Sequence, residues 1–211
     1  CVKHNLFMSP AKTKLWSHEV EFLGKIVSEG EVKPSPAMIA GLMALEPPAT
    51  VADMMSFKGL VGWISTHLPR LRELLHPLQQ LETELMKDKP RKTKQVAKGL
   101  AVAPHWRQEH QAAFDEVKAV VANAVGNYIP CEGDRLALFT DASRLAWAGC
   151  LLAYDKSQEH LCPSGRNYKV VGWVGSVFSD AEKDYSIPEK EVLAAVRSCE
   201  KMEHLLFNVH G

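Results

Sequence analysis

Apolar positions recur along this chain first in short β-rich runs and then at three-to-four-residue spacing. Residues 20–27 (VEFLGKIV) are rich in strand formers, and residues 28–31 (SEGE) supply a Gly-bearing turn before Val32, which together predict a hairpin. Pro34 and Pro36 end the strand, Pro36 opens a helix through Leu45, and Pro47-Pro48 breaks it. Thr50 with Asp53 three residues on is a variant capping box. Met54, Phe57, Leu60, Val61 and Ile64 follow at helical spacing. Pro69 and Pro77 punctuate two short amphipathic helices whose buried stripe is Leu71, Leu74, Leu75, Leu78 and Leu81. Met54, Met55 and Trp63 are assigned to the core of this hairpin-plus-helices module.

Residues 87–98 (KDKPRKTKQVAK) break the pattern, being basic, polar and interrupted by Pro90. Beyond them, Arg107 to Ala124 carries Phe114, Val117, Val120 and Val121 on one face, a helix. Strands are predicted at 136–141 (LALFTD), 147–154 and 170–178, with Pro163 and Gly165 in the loop between the last two. Ser179 to Glu182 reads as a capping box. A second one, Ser186 to Glu189, starts a long helix whose apolar positions include Val192, Val196, Cys199, Met202 and Leu206. Trp147 and Trp173 fall in strand patterns and are assigned to sheet packing. The resulting organisation is a module of residues 1–86, a basic linker of 87–105 and a second unit of 106–211. Its fold class is α+β to α/β.

Composition changes little. The chain has 211 residues with 46% hydrophobic and 24% charged, ordinary for a globular protein. Lys plus Arg equals Asp plus Glu at 25 each, so any electrostatic footprint is local. Five cysteines are scattered singly, with no CxxC pair to suggest zinc or a disulfide framework. His4 with Cys1, and His160 with Cys162, lack the second pair a zinc site needs. No apolar run approaches a bilayer span, so no membrane partner is expected, and a reducing cytoplasmic compartment is. The chain opens on Cys1 rather than Met, which suggests a piece of a longer product.

Two acids stand out by placement. Asp141 ends an apolar strand ahead of the small residues Ala142 and Ser143, where a buried carboxylate needs a partner such as a cation. Glu191 lies in the first turns of the last helix. Each also has a plain reading: Asp141 as a turn cap, Glu191 as an acid favoured by the helix dipole. For the basic segment the alternatives are a solvated connector and a contact to nucleic-acid phosphates through Lys87, Lys89, Arg91, Lys92, Lys94 and Lys98.

A resemblance adds to this. Residues 22–28 (FLGKIVS) and 31–34 (EVKP) look like the stretch after the catalytic palm of gypsy-type retrotransposon reverse transcriptases. Pro47-Pro48, residues 56–60 (SFKGL), Leu68-Pro69 and residues 76–78 (HPL) resemble that family's thumb. Trp106, Ala113-Phe114 and Val117-Lys118 are similar to its connection into RNase H. Residues 139–143 (FTDAS) and 185–194 (YSIPEKEVLA) resemble the first two RNase H blocks. The resemblance implies a thumb module followed by the N-terminal part of an RNase H-like mixed sheet with flanking helices. It also implies a parent polyprotein that copies RNA into DNA and cuts the RNA strand of an RNA–DNA hybrid.

In that family four carboxylates hold two Mg²⁺ ions, and the matching positions here are Asp141 and Glu191. Two hard cations about 3.5–4 Å apart require oxygen ligands on rigid elements. Glu189 reads instead as a capping-box residue. The remaining two carboxylates and the polymerase aspartates are expected outside residues 1–211, which makes the chain inactive as a nuclease by itself. Where the family has glycines after the aspartate this chain has AWAG at 146–149, WIST at 63–66 replaces an aromatic pair, and residues 87–98 look inserted. These departures keep open an alternative, a catalytically inactive retroelement-derived module that binds nucleic acid or protein.

Overall fold

The computed structural model describes residues 16–89 and 93–206, together with Ser9 and Thr13. Three strands open it: β1 (Glu19–Phe22), β2 (Lys25–Ser28) and β3 (Glu31–Pro34), all antiparallel. The expected single strand over 20–27 is thus two. Leu23 and Gly24 adopt φ of 51° and 76°, and this left-handed pair makes the two-residue turn that matches strand twist. The second turn, Glu29-Gly30, places only Gly30 in the left-handed region, at φ 74°.

The helices begin where capping chemistry puts them. Ser35 Oγ accepts from the Met38 amide at 3.3 Å to open α1 (Pro36–Met43), with Pro36 in the first turn. Thr50 and Asp53 cap α2 (Val51–Trp63) reciprocally, the Asp53 amide donating to Thr50 Oγ1 at 3.2 Å and the Thr50 amide to Asp53 Oδ2 at 2.9 Å. Two shorter helices, α3 (Leu71–Leu74) and α4 (His76–Met86), follow. Val61, Ile64 and Leu78 are 0% exposed in the shared core. Trp63 departs from expectation. It sits at the end of α2, 49% exposed, with its indole N–H donating to the Leu23 carbonyl at 2.9 Å. Met54 is fully buried as expected.

Residues 93–102 are built into this core. A helix, α5 (Lys94–Lys98), buries Ala97, and Val102 is also 0% exposed. The Val51 amide donates to the Leu100 carbonyl at 3.0 Å and the Val102 amide to the Ala49 carbonyl at 2.9 Å. The polar composition that marks a linker hides two apolar residues that anchor it. Next, α6 (Gln108–Ala122) packs against α1 and α4, with Phe114 against Phe57 at 4.7 Å between centroids. The chain then returns to the first sheet, where β4 (Asn127–Tyr128) pairs with β3. Asn127 Nδ2 donates to the Thr66 carbonyl at 3.1 Å, and His67 Nδ1 donates to the Val125 carbonyl at 3.1 Å.

A second sheet is made by β5 (Asp134–Ala142), β6 (Ala146–Asp155) and β7 (Lys169–Val177), in that order. Its pairings are antiparallel throughout the described residues, so the parallel strand of the expected mixed sheet is not represented there. The long helix α7 (Ile187–Lys201) covers one face, followed by α8 (Glu203–Leu206). Its buried line differs from the one expected. Val192 and Val196 are 64% and 48% exposed and Cys199 is exposed too, whereas Met202 is buried as expected and Lys190, Ala194 and Ser198 are buried with it. Helix and sheet approach closely at Gly149, where an added Cβ would lie 2.8 Å from Ser198 Cβ. Only small residues fit such a contact, so Ala194 and Ser198 take positions that hydrophobicity alone assigns to valine.

Candidate functional site

Asp141 stands one residue from the end of β5, exposed, paired across the ladder with Ala148. Cross-strand partners share a face and neighbours alternate. Because Gly149, opposite Thr140, abuts Ser198, Asp141 and Ala148 belong to the face turned away from α7. The charge that reaches Asp141 comes from Arg70, whose guanidinium it helps hold above its ordinary pKa after the larger effects of Glu73.

Glu191 is half-buried in the second turn of α7. That helix begins with a capping box. The Ser186 amide donates to Glu189 Oε2 at 2.8 Å and its hydroxyl donates to the same oxygen at 2.6 Å, holding the Glu189 carboxyl below its usual range. One of the two Glu189 carboxylate oxygens is therefore committed locally. Glu182, which precedes it in the 179–185 loop, is bound by Arg197 of α7, Nη1 to Oε2 at 3.2 Å, and its carboxyl is pushed down to about 2. That pair fastens the loop to the helix.

Neither Asp141 nor Glu191 makes a side-chain hydrogen bond or ion pair among the described residues, and they do not bond each other. Nor do three His, Cys, Asp or Glu side chains converge there as a metal site. Two hard cations need a fuller set of oxygens than two carboxylates on two elements. The residues present do not by themselves fit a two-Mg²⁺ centre. His160 and Cys162 likewise form no metal cluster, while Cys1 and His4 lie outside the described residues.

In the basic segment, Lys87, Lys89, Lys94 and Lys98 are all exposed and make no ion pair among the described residues. Arg91 and Lys92 lie outside the described residues. Sequence reasoning missed a different cluster. Arg70 and Arg72 from the start of α3, Lys201 from the end of α7, and Trp147 and Trp173 from the second sheet surround one cavity that also reaches Asp141. Nothing in the spacing of these residues announces the cluster, since they come together only through docking of α3 on β7.

Comparison with known proteins places this architecture. Residues 106–210 match the family model described as the RNase H-like domain found in reverse transcriptase. The chain is 27% identical over 211 residues to the enzymatic polyprotein of Cestrum yellow leaf curling virus, covering 95% of this chain and 29% of that protein. It is 26% identical to the enzymatic polyprotein of Cauliflower mosaic virus (strain D/H), over 100% of this chain and 28% of the relative. It is also 27% identical to the transposon Tf2-3 polyprotein of Schizosaccharomyces pombe, covering 96% of this chain and 13% of that one. The chain thus spans less than a third of these relatives. Among solved structures, the foamy viral protease-reverse transcriptase in complex with RNA/DNA hybrid superposes with TM-score 0.69 at 18% identity, over 92% of this chain and 23% of that one. The same protein in complex with dsDNA gives TM-score 0.69 at 19% identity, over 93% of this chain and 36% of that one. No described helix is long and apolar enough to cross a membrane. Residues 106–210 are thus similar to the RNase H-like domain found in reverse transcriptase, and the chain as a whole to part of viral and retroelement polyproteins.

Proposed function

We propose that this chain is a hybrid-binding part of a reverse transcriptase/RNase H polyprotein, of the gypsy type, working with the template-primer in a cytoplasmic retroelement particle. The observation that carries the reading is the match of 106–210 to the reverse-transcriptase RNase H-like domain, joined to whole-chain similarity to polyproteins. The foamy viral relative of this fold is bound to RNA/DNA hybrid, and the same ligand class is proposed here. Residues 19–86 grip the duplex by shape and phosphates rather than by base edges. Lys87, Lys89, Lys94 and Lys98 add exposed charge to that surface.

Asp141 and Glu191 are proposed, on the family resemblance of their blocks, as this chain's share of the RNase H carboxylates, although Asp141 lies on the face of β5 turned away from α7. The rest of the Mg²⁺ ligands, and the polymerase site, belong to the longer protein. Alone, this chain binds hybrid and does not cut it. Binding of a labelled RNA–DNA hybrid should weaken steeply as salt rises, as phosphate contacts require. Absence of any hybrid binding at low salt would sink the reading. The second reading, an inactive binding module, is favoured by the departures from the family's pattern at residues 146–149 (AWAG) and 63–66 (WIST). The parent polyprotein separates the two: Asp141→Asn in the full-length protein abolishes hybrid cleavage on the first reading and changes nothing on the second.

A further inference from the structure

A 3₁₀ turn, Ser65–His67, lies where the first unit meets the second sheet, packed against both α2 and β7. Two bonds fasten it to residues 125–127. His67 Nδ1 donates to the Val125 carbonyl and Asn127 Nδ2 to the Thr66 carbonyl, both at 3.1 Å. β7 closes on them at Gly172, where an added Cβ would lie 3.8 Å from both Asn127 Nδ2 and the Thr66 carbonyl oxygen. β4, which begins at Asn127, also packs on β7. The turn, β4 and β7 thus share one joint, and His67 is 1% exposed within it.

Because a carbonyl only accepts, Nδ1 carries the proton of the neutral ring and Nε2 keeps its lone pair. Nε2 is buried with no partner among the described residues, and Asn127 Oδ1, also buried and unanswered, is not bonded to it. A second proton would therefore set a cation in the joint with no acceptor to take it, a costly arrangement. The ionisable groups of the surrounding elements give no relief. They are Lys25 on β2, Glu31 on β3 (its carboxyl against Gly126), Asp53 and Lys58 on α2, Tyr128 on β4 and Lys169 on β7. Lys58 is engaged by Glu82, and Lys169 lies 4.2 Å from the Tyr128 ring centroid. Lys25 is the one whose charge acts on the imidazole, and it repels. Burial first, then Lys25, lower the ring pKa from 6.5 to about 4.

We propose that the His67 joint is an acid-operated latch between the first unit and the second sheet. With the imidazole neutral, residues 125–128 are held to the turn, to β3 and to β7. Protonation of His67 frees them, so that residues 123–133 become a loose connector between α6 and β5 while both units stay folded. The latch needs no bound nucleic acid and is independent of the hybrid-binding reading. It differs from a general loss of stability in acid because the opening is confined to the joint.

Hydrogen exchange of the full chain, read amide by amide at about pH 7 and about pH 4.5 and corrected for the intrinsic effect of pH, tests the latch. The Ile129 amide bonds the Gly30 carbonyl at 2.9 Å and reports on the joint. Its protection should fall roughly fiftyfold in acid, the ratio set by ring pKa values of about 4 closed and about 6.5 open. Amides of α2 and β6 should keep theirs. His67→Gln, which retains an N–H for the Val125 carbonyl but does not titrate, should abolish the acid effect. Lys25→Gln should shrink it, because the closed joint then accepts the proton more readily. If His67→Gln fails to fold, the Lys25→Gln comparison decides. Protection lost equally in α2, β6 and Ile129 overturns the proposal, and so does an acid effect at Ile129 that Lys25→Gln leaves unchanged.

Discussion

Single residues bear the load where elements touch. At Gly149 an added Cβ would meet the Ser198 hydroxyl and lie 2.8 Å from its Cβ, both on a packed helix. Gly149→Ala should therefore lower stability by about 1–3 kcal/mol, the usual cost of overpacking, visible as a lower midpoint in urea. Pairing it with Ser198→Gly, which removes the obstacle, should recover much of the loss. His67 is another such residue. It is 1% exposed, its Nε2 is buried without a partner, and burial with the nearby Lys25 charge pushes its pKa from 6.5 to about 4. The folded state thus keeps the imidazole neutral while the unfolded chain protonates it below about pH 6.5. The associated stability is complete above that pH and is lost as pH falls from about 6.5 toward 4, up to about 3 kcal/mol. His67→Phe should flatten that part of the stability–pH curve, and a curve as steep as the parent's would refute the assignment.

Between residues and the molecule lie the elements and their fastenings. The 179–185 loop is tied to α7 by Arg197 and Glu182, the Arg197 side chain 31% and the Glu182 side chain 15% exposed. Arg197→Ala should cost about 1 kcal/mol, a value near the top of the range for such pairs because two hydrogen bonds act together. Glu182 has a depressed pKa, so the pair's contribution is present above about pH 4.5 and fades as pH falls toward about 2. The difference between Arg197→Ala and the parent should accordingly shrink in acid, which a denaturation series at pH 7 and pH 3 would measure. The capping boxes at Thr50 and Ser186 were readable from four-residue motifs because their hydrogen bonds close locally. The split of residues 20–27 into two strands was not, since Leu23 at φ 51° is no residue's default and is held by its neighbours.

At the scale of the whole molecule, the two halves are joined more closely than a linker allows. α6 lies in the first core, β4 completes the first sheet, and Asn127 and His67 bond across between residues 66–67 and 125–127. Val102→Asp, which places a charge in that core, should unfold the chain's first half together with α6 rather than free the second sheet. Hydrogen exchange read element by element would show whether protection in α2 and α6 falls together. On the proposed reading, the purified chain should show no Mg²⁺-dependent cleavage of hybrid, and cleavage that Asp141→Asn abolishes would overturn that expectation.

What the sequence determined by itself is the set of properties that close within a few residues or survive as ordered blocks. These are the capped starts of α2 and α7, the strands of the second sheet, and the reverse-transcriptase character of residues 106–210. Tertiary structure alone decided which face of α7 is buried, because closeness at Gly149 outweighs side-chain hydrophobicity. It also decided that Trp63 is half exposed, that Ala97 and Val102 anchor a polar segment, and that Asp141 faces away from the helix bearing Glu191. The cavity of Arg72, Lys201, Trp147 and Trp173 belongs to the same class. Local hydrogen bonds carry a fixed spacing along the chain, whereas packing depends on distances between elements that no spacing encodes.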